Sequence, residues 1–326
     1  MEVQIKVVLL SFVTSIILAL IIIPILRRLK VGQIERTDGP QSHLKKQGTP
    51  TMGGIIMAIT TLIVTVILSA MFVGKAEGET VKRVIPLAFV TIGFGVVGFV
   101  DDFIKLVLKN TKGLKPMYKM IGLLIVAVGY TLYLAKVLNI GTETYIPIFK
   151  QYINLPIWIY IPFAIFVLLG TTNAINLTDG VDGLSTSITT IIITGLMVIS
   201  IIFGIKEVTL IGCILVGACL GFLLFNLHPA KVFMGDTGSL LLGGAVAGMA
   251  LYLKMPLILI VLALIPIIET VSVMIQVLYY KKTGKRIFKM APIHHHFELS
   301  GWNENKVVSV FSVITLILAV ISICIV

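Results

Sequence analysis

Ten stretches of this chain are apolar for long enough to cross a bilayer, and they limit its possible folds before any motif is considered. They run roughly over 3–29, 51–73, 84–100, 118–138, 157–172, 184–203, 208–225, 239–253, 256–280 and 306–326. A continuous apolar run of about 18 residues or more reads as a transmembrane helix. The ten-residue alternation of a transmembrane barrel is absent. Of the 326 residues 57% are hydrophobic and 13% charged, more apolar surface than one soluble core can hide. The expected fold is all-α: a polytopic integral membrane protein of about ten helices, with 1–326 forming one transmembrane domain without internal repeats or linkers. The first run follows Lys6 in the manner of a signal peptide. It continues through Pro24 and Ile25 to Arg27 and Arg28 with no small-residue cleavage site, and so counts as the first span. Cys213, Cys219 and Cys324 all lie in apolar runs, with neither metal-ligand nor disulfide spacing.

The net charge of +11 is concentrated in one set of loops. Segments 27–50, 101–119, 173–183, 226–238 and 281–306 hold 18 of the 26 Lys and Arg residues. The positive-inside rule makes these segments cytoplasmic and places both termini outside the cytoplasm. Orientation in a membrane thus accounts for the basic charge, and no nucleic acid is expected as a partner. All six aspartates, Asp38, Asp101, Asp102, Asp179, Asp182 and Asp236, fall in the same segments. Acidic residues contribute little to orientation, so their one-sidedness points to chemistry at the cytoplasmic face.

Four polar segments carry that chemistry. "NAINLTDGVDGL" places Asn173, Asn176, Asp179 and Asp182 at three-residue steps. On a helix this spacing would align them on one face, although Gly180 and Gly183 suggest a turn or a broken helix. Such a row of oxygens suits a hard cation, a sugar or a base; the plainer alternative is a helix cap and loop. In "PAKVFMGDTGS", Asp236 stands between glycines at the start of a span, where a helix N-terminus favours phosphate. "APIHHHFE" sets His294, His295 and His296 in a basic loop. Successive residues point in different directions and no cysteine is near, so phosphate binding suits them better than a closed zinc site. "SHLKKQGTPTMGG" brings Lys45, Lys46 and glycines to the membrane edge, where a polyanion or the positive-inside rule explains them equally well. Carboxylates with Mg²⁺ and Lys or His donors are what phosphoryl transfer requires. A site at the membrane boundary suggests one soluble and one lipid substrate.

With "GTPTMGG" and "DDFIK", these segments give five blocks in order across nearly the whole chain. Together they resemble the phospho-N-acetylmuramoyl-pentapeptide transferase family, within the polyprenyl-phosphate N-acetylhexosamine-1-phosphate transferases. The resemblance implies a Mg²⁺-dependent enzyme of the bacterial cytoplasmic membrane. Such an enzyme moves phospho-N-acetylmuramoyl-pentapeptide from its UDP conjugate to undecaprenyl phosphate, releasing UMP, in the first lipid-linked step of peptidoglycan synthesis. It further implies that Asp101 and Asp102 are the catalytic pair and Asp236 the principal metal ligand. Lys105 and His294, with His295 and His296, would serve the phosphates or the catalytic geometry. The nucleoside pocket would comprise Lys46, Thr51, Asn173, Asn176, Asp179, Asp182, Asn226 and Phe233, and an aromatic face at Phe233 can stack on uracil. Direct attack by the lipid phosphate and a covalent intermediate on Asp101 both stay open; direct attack is favoured because a phosphate monoester is already nucleophilic. A homodimer also stays open.

Two rivals are weaker. A transferase acting on another UDP-N-acetylhexosamine would carry a His-x-His-His-Arg arrangement in place of "HHHFE". An ion-coupled transporter would place ionisable groups at mid-membrane, where only Glu269 is found. Glu269 follows Pro266 in the ninth run, and the expectation is a kinked helix with Glu269 on the wall of a groove admitting the polyprenyl chain. The extracytoplasmic segment 139–156 is expected to form a short hairpin, with an irregular loop as the alternative.

Overall fold

The computed structural model describes residues 2–29, 48–72, 78–108, 113–138 and 140–326. The chain enters through α1 (Glu2–Arg28) and continues through α2 (Gly54–Phe72), α3 (Gly78–Leu106) and α4 (Pro116–Lys136). A two-stranded interruption follows, β1 (Glu143–Ile146) and β2 (Gln151–Asn154). Next come α5 (Ile157–Thr178), α6 (Leu184–Ile202), α7 (Lys206–Asn226) and α8 (Gly235–Tyr252). A 3₁₀ turn (Pro256–Ile258), α9 (Leu259–Leu262), α10 (Leu264–Thr283), α11 (Ile293–Glu298) and α12 (Glu304–Ile325) complete it. The protein is an all-α polytopic membrane protein: among the described residues nine helices, α1 to α7, α10 and α12, are long and apolar enough to cross a bilayer.

The eighth apolar run, 239–253, lies in α8 but for its last residue, and α8 occupies the centre of the bundle. Every residue of α8 from Thr237 to Tyr252 is buried, and it packs against α2, α3, α5 and α6. Small residues permit this. Gly98 of α3 lies so close to the Asp236 carbonyl that a side chain there would overlap it. The same device joins α1 to α7. Ser11, Ser15 and Ala19 of α1 are buried, Gly217 and Gly221 of α7 face Ser11 and Ser15, and Ser15 Oγ donates to the Ala218 carbonyl at 2.9 Å. Between helices in lipid, close packing of small residues takes the place of the hydrophobic effect. The opposite face of α1, with Leu9, Val13 and Ile17, is exposed, as a lipid-facing surface should be.

The ninth run departs from expectation. It is no single kinked span: it breaks between the 3₁₀ turn, α9 and α10, and Pro266 sits in the first turn of α10. Proline is tolerated there because the first-turn N–H groups have no intrahelical acceptor, so the break precedes it.

The hairpin does form. Its strands pair antiparallel in the register Glu143↔Asn154 to Ile146↔Gln151. It is fastened to the end of the bundle remote from the aspartates. Tyr145 N–H donates to the Lys254 carbonyl at 2.7 Å, Lys254 Nζ pairs with Glu143 at 2.7 Å, and Tyr145 Oη donates to the Val326 carbonyl at 3.2 Å.

Candidate active site

The C-terminal ends of α3 and α5 and the N-terminal ends of α4 and α8 converge at the other end of the bundle. The turn before the last of α3 supplies Asp101 and Asp102, both buried, and their roles diverge. Asp102 serves the N-terminus of α8: it accepts from Thr237 N at 2.9 Å, Thr237 Oγ1 at 2.7 Å and Asp236 N at 3.3 Å. A carboxylate there satisfies N–H groups that the helix itself leaves unbonded and complements the helix dipole. Gly235, at φ +68°, makes the turn that delivers Asp236, and its backbone lies against Asp102 and Thr51. Thr51 is buried in this corner. The backbone of Phe233 locks the turn, donating to the Pro50 carbonyl and accepting from Gly53 N–H, both at 2.8 Å.

Asp101 and Asp236 are joined through two ammonium groups. Lys105, one helical turn beyond Asp101, lies 2.9 Å from Asp101 Oδ2 and 2.8 Å from Asp236 Oδ2. Lys119 on α4 lies 3.1 and 2.9 Å from the same two oxygens. Leu114 N–H donates to Asp101 Oδ1 at 2.8 Å. Asn176 on α5 donates through Nδ2 to Asp236 Oδ1 at 2.9 Å and to Ser239 Oγ at 2.8 Å. In the sequence Lys119 reads only as an orienting charge; its position at the start of a span beside a lysine-rich loop is the signal that could have marked it.

The evenly spaced Asn/Asp row separates in three dimensions. α5 ends at Thr178, Asp179 follows as its C-cap, and Asp182 lies in the next turn. Asn173 donates to the Leu169 carbonyl of its own helix at 2.8 Å. Asn226 is buried, accepting from Thr186 Oγ1 at 2.7 Å and donating to the Val232 carbonyl at 3.0 Å, so its side chain clamps the loop before α8. Asp182 accepts from Ala230 N–H at 3.0 Å and lies 3.0 Å from His228 Nδ1, which is 3.5 Å from Glu304. These three residues form a compact Asp–His–Glu group, with one ligand atom of each within 4.8 Å of the others. Asp179 is in electrostatic reach of the other aspartates. Its burial and the charges of Asp236, Asp102 and Asp182 push its carboxyl up to about 8. Lys46 lies outside the described residues.

The three histidines occupy α11, where the His294 and His295 rings meet edge to face with centroids 4.1 Å apart while each of the three finds a different partner. His294 is fully buried against Glu269, Nδ1 to Oε2 3.1 Å. His295 Nδ1 lies 2.7 Å from Glu298, and His296 Nδ1 accepts from Lys289 N–H at 3.1 Å. The expectation of a groove wall at Glu269 is therefore corrected: the side chain is 0% exposed and turns inward to His294, because a buried carboxylate beside an imidazole costs far less than one facing lipid.

Buried carboxylates crossed by lysines at the mouth of a helical bundle are an arrangement suited to a charged substrate at a membrane boundary, and the sequence comparisons give the family. The glycosyl transferase family 4 model matches residues 84–254, and the phospho-N-acetylmuramoyl-pentapeptide-transferase signature 1 matches residues 46–56. The phospho-N-acetylmuramoyl-pentapeptide-transferase of Clostridium perfringens (strain 13 / Type A) is 51% identical over 312 residues, covering 96% of this chain and 95% of its own. Those of Acetivibrio thermocellus and Halalkalibacterium halodurans are each 48% identical over 314 residues, covering 96% of this chain and 92% and 94% of their own. The chain belongs to glycosyl transferase family 4 and, within it, to the phospho-N-acetylmuramoyl-pentapeptide-transferases.

Proposed function

We propose that the protein transfers phospho-N-acetylmuramoyl-pentapeptide from its UDP conjugate to undecaprenyl phosphate, releasing UMP, at the cytoplasmic face of the bacterial inner membrane. The observation that carries this reading is the interlocked set of Asp101, Lys105, Lys119 and Asp236 in a chain that matches its relatives over 92–95% of their length. The relatives support this activity over transfer from another UDP-N-acetylhexosamine and over ion-coupled transport. The one-sided Lys and Arg distribution supports an orientation with the site in the cytoplasm and both termini outside.

A diphosphate needs several positive groups around it. Lys105 and Lys119 supply two, held at the mouth of the bundle by carboxylates that keep them oriented. The donor set fits a hard cation. The carboxylates of Asp101 and Asp236 already gather two ammonium groups between them, and burial with the neighbouring aspartate charges, which together raise Asp179, leaves negative charge that a divalent cation would relieve. Asp236 would hold Mg²⁺, with Asn176 fixing the carboxylate's orientation. When bound, the ion would supply further neutralisation of the transferring phosphate.

Asp101 Oδ2 is already bridged by two ammonium groups and Oδ1 by a backbone N–H, so a covalent intermediate on Asp101 would have to break these contacts first. Asp102 is committed to the α8 N-terminus. Both arrangements favour direct attack by the lipid phosphate, whose second ionisation near pH 6 leaves it nucleophilic without a general base. On the nucleotide side, Thr51 is buried beside the turn that the Phe233 backbone locks, and the family blocks imply Asp179, Lys46 and an aromatic face at Phe233 for uracil as further contacts. Purified protein given UDP-N-acetylmuramoyl-pentapeptide and undecaprenyl phosphate should release UMP with Mg²⁺ present and none without the lipid phosphate. UMP release only from a different UDP-sugar would refute the reading.

A further inference from the structure

The fully buried pair Glu269–His294 joins α10 to α11. Oε2 lies 3.1 Å from Nδ1 and accepts from the His294 backbone N–H at 3.4 Å. The Nδ1 contact is at ion-pair distance but off the line of a hydrogen bond. Glu269 Oε1, His294 Nδ1 and His294 Nε2 find no hydrogen-bond partner among the described residues. Buried ionisable groups left this way weaken a fold, and each such exception calls for an explanation, a role in the chemistry among them. The other edge of the ring shows where that role lies. Nε2 abuts Gly180 so closely that a β-carbon on Gly180 would overlap it, with Cε1 2.8 Å away. Gly180 directly follows Asp179 in the turn that closes α5.

We propose that Glu269 is a positioning residue acting through His294. The charge of its carboxylate, 3.1 Å from Nδ1, favours the proton on that nitrogen, and the ring braces the Asp179–Gly180 turn, setting where Asp179 stands against Asp236 and Asp102. Glycine at 180 is what lets the ring approach. The effect falls on the nucleotide side of the site, not on the entry of the lipid chain. The kinetic part rests on the transferase reading above; the tautomer does not.

Two measurements test it. The first is ¹⁵N NMR of histidine-labelled protein in detergent, with His294→Asn assigning the signal, which should show a proton on His294 Nδ1 in the wild type. A bare Nδ1 with the proton on Nε2 overturns the proposal whatever the enzyme's substrate. The second is kinetics. Glu269→Gln should lower kcat/KM for the UDP substrate about 10–100-fold, the size expected when a residue supporting a functional histidine is lost. KM for undecaprenyl phosphate should stay within about twofold. Combined with His294→Asn it should cost no more than His294→Asn alone, because residues that act as a unit are not additive. Multiplying losses, a raised KM for the lipid phosphate, or full activity in Glu269→Gln would each overturn it. Should Glu269→Gln fail to fold, Gly180→Ala pushes the same ring away from the other side and must give the same kinetic pattern.

Discussion

Asp101 and Asp102 are neighbours with different work, and single substitutions should separate them. Asp102→Ala removes the acceptor for three donors at the start of α8. Losing a helix N-cap costs about 1 kcal/mol, so the variant should melt several degrees lower in detergent, with activity falling as α8 frays. An unchanged melting temperature would refute the capping role. Asp236→Asn keeps the shape but removes the charge that a hard cation and both lysines require. Its kcat should fall by roughly 10²–10³-fold or more, in the range of lost electrostatic stabilisation, while size-exclusion behaviour stays that of folded protein. Near-normal turnover at ordinary Mg²⁺ would sink the metal-ligand assignment. The sequence named Asp101, Asp102, Asp236, Asn176 and Lys105 and missed Lys119, because its contacts to Asp101 and Asp236 span 18 and 117 positions. A one-dimensional reading sees only a basic residue at a helix start.

Two connections can be tested as units. The β1–β2 hairpin was legible because its β-branched and aromatic residues flank a polar break, and strand preference of that kind is local. Ile148 at its tip is 79% exposed. In a Cys324→Ser background, Ile148→Cys should react with a membrane-impermeant maleimide on intact cells. Labelling only after lysis would invert the proposed orientation. On the opposite side, Gln276 of α10 closes the loop leading to the histidines. Its Oε1 accepts from Ile287 N–H and Phe288 N–H at 3.0 Å each, and its Nε2 donates to the Phe288 carbonyl at 3.0 Å. Gln276→Ala should speed hydrogen exchange at Ile287 and Phe288 while leaving the amides of α10 protected. Exchange unchanged at both positions would mean the clamp carries no local stability. No residue pattern announced this clamp, since it depends on how far the chain folds back after Gly284.

For the bundle as a whole, chelation gives the broadest test of the proposed chemistry. EDTA should abolish UMP release, and excess Mg²⁺ should restore it without a change in oligomeric size; activity that survives thorough chelation would remove the cation from the reading. Residue order alone was enough to find, among its ten runs, the nine membrane-length helices of the described residues, exclude a soluble core and bring Asp101, Asp102, Asp179, Asp182 and Asp236 to one end of the bundle. Bilayer thickness and the positive-inside bias act on stretches of chain, so they are written in composition and length. Residue order could not place α8 at the centre, because a buried span and a lipid-facing one are equally apolar when neither has water to face. Nor could it break the ninth run ahead of Pro266, turn Glu269 from lipid towards His294, or scatter the Asn173–Asp182 row among different partners. Those outcomes depend on which side chains meet when helices distant in sequence pack together, and burial makes each polar group take whatever partner that packing brings within hydrogen-bond reach.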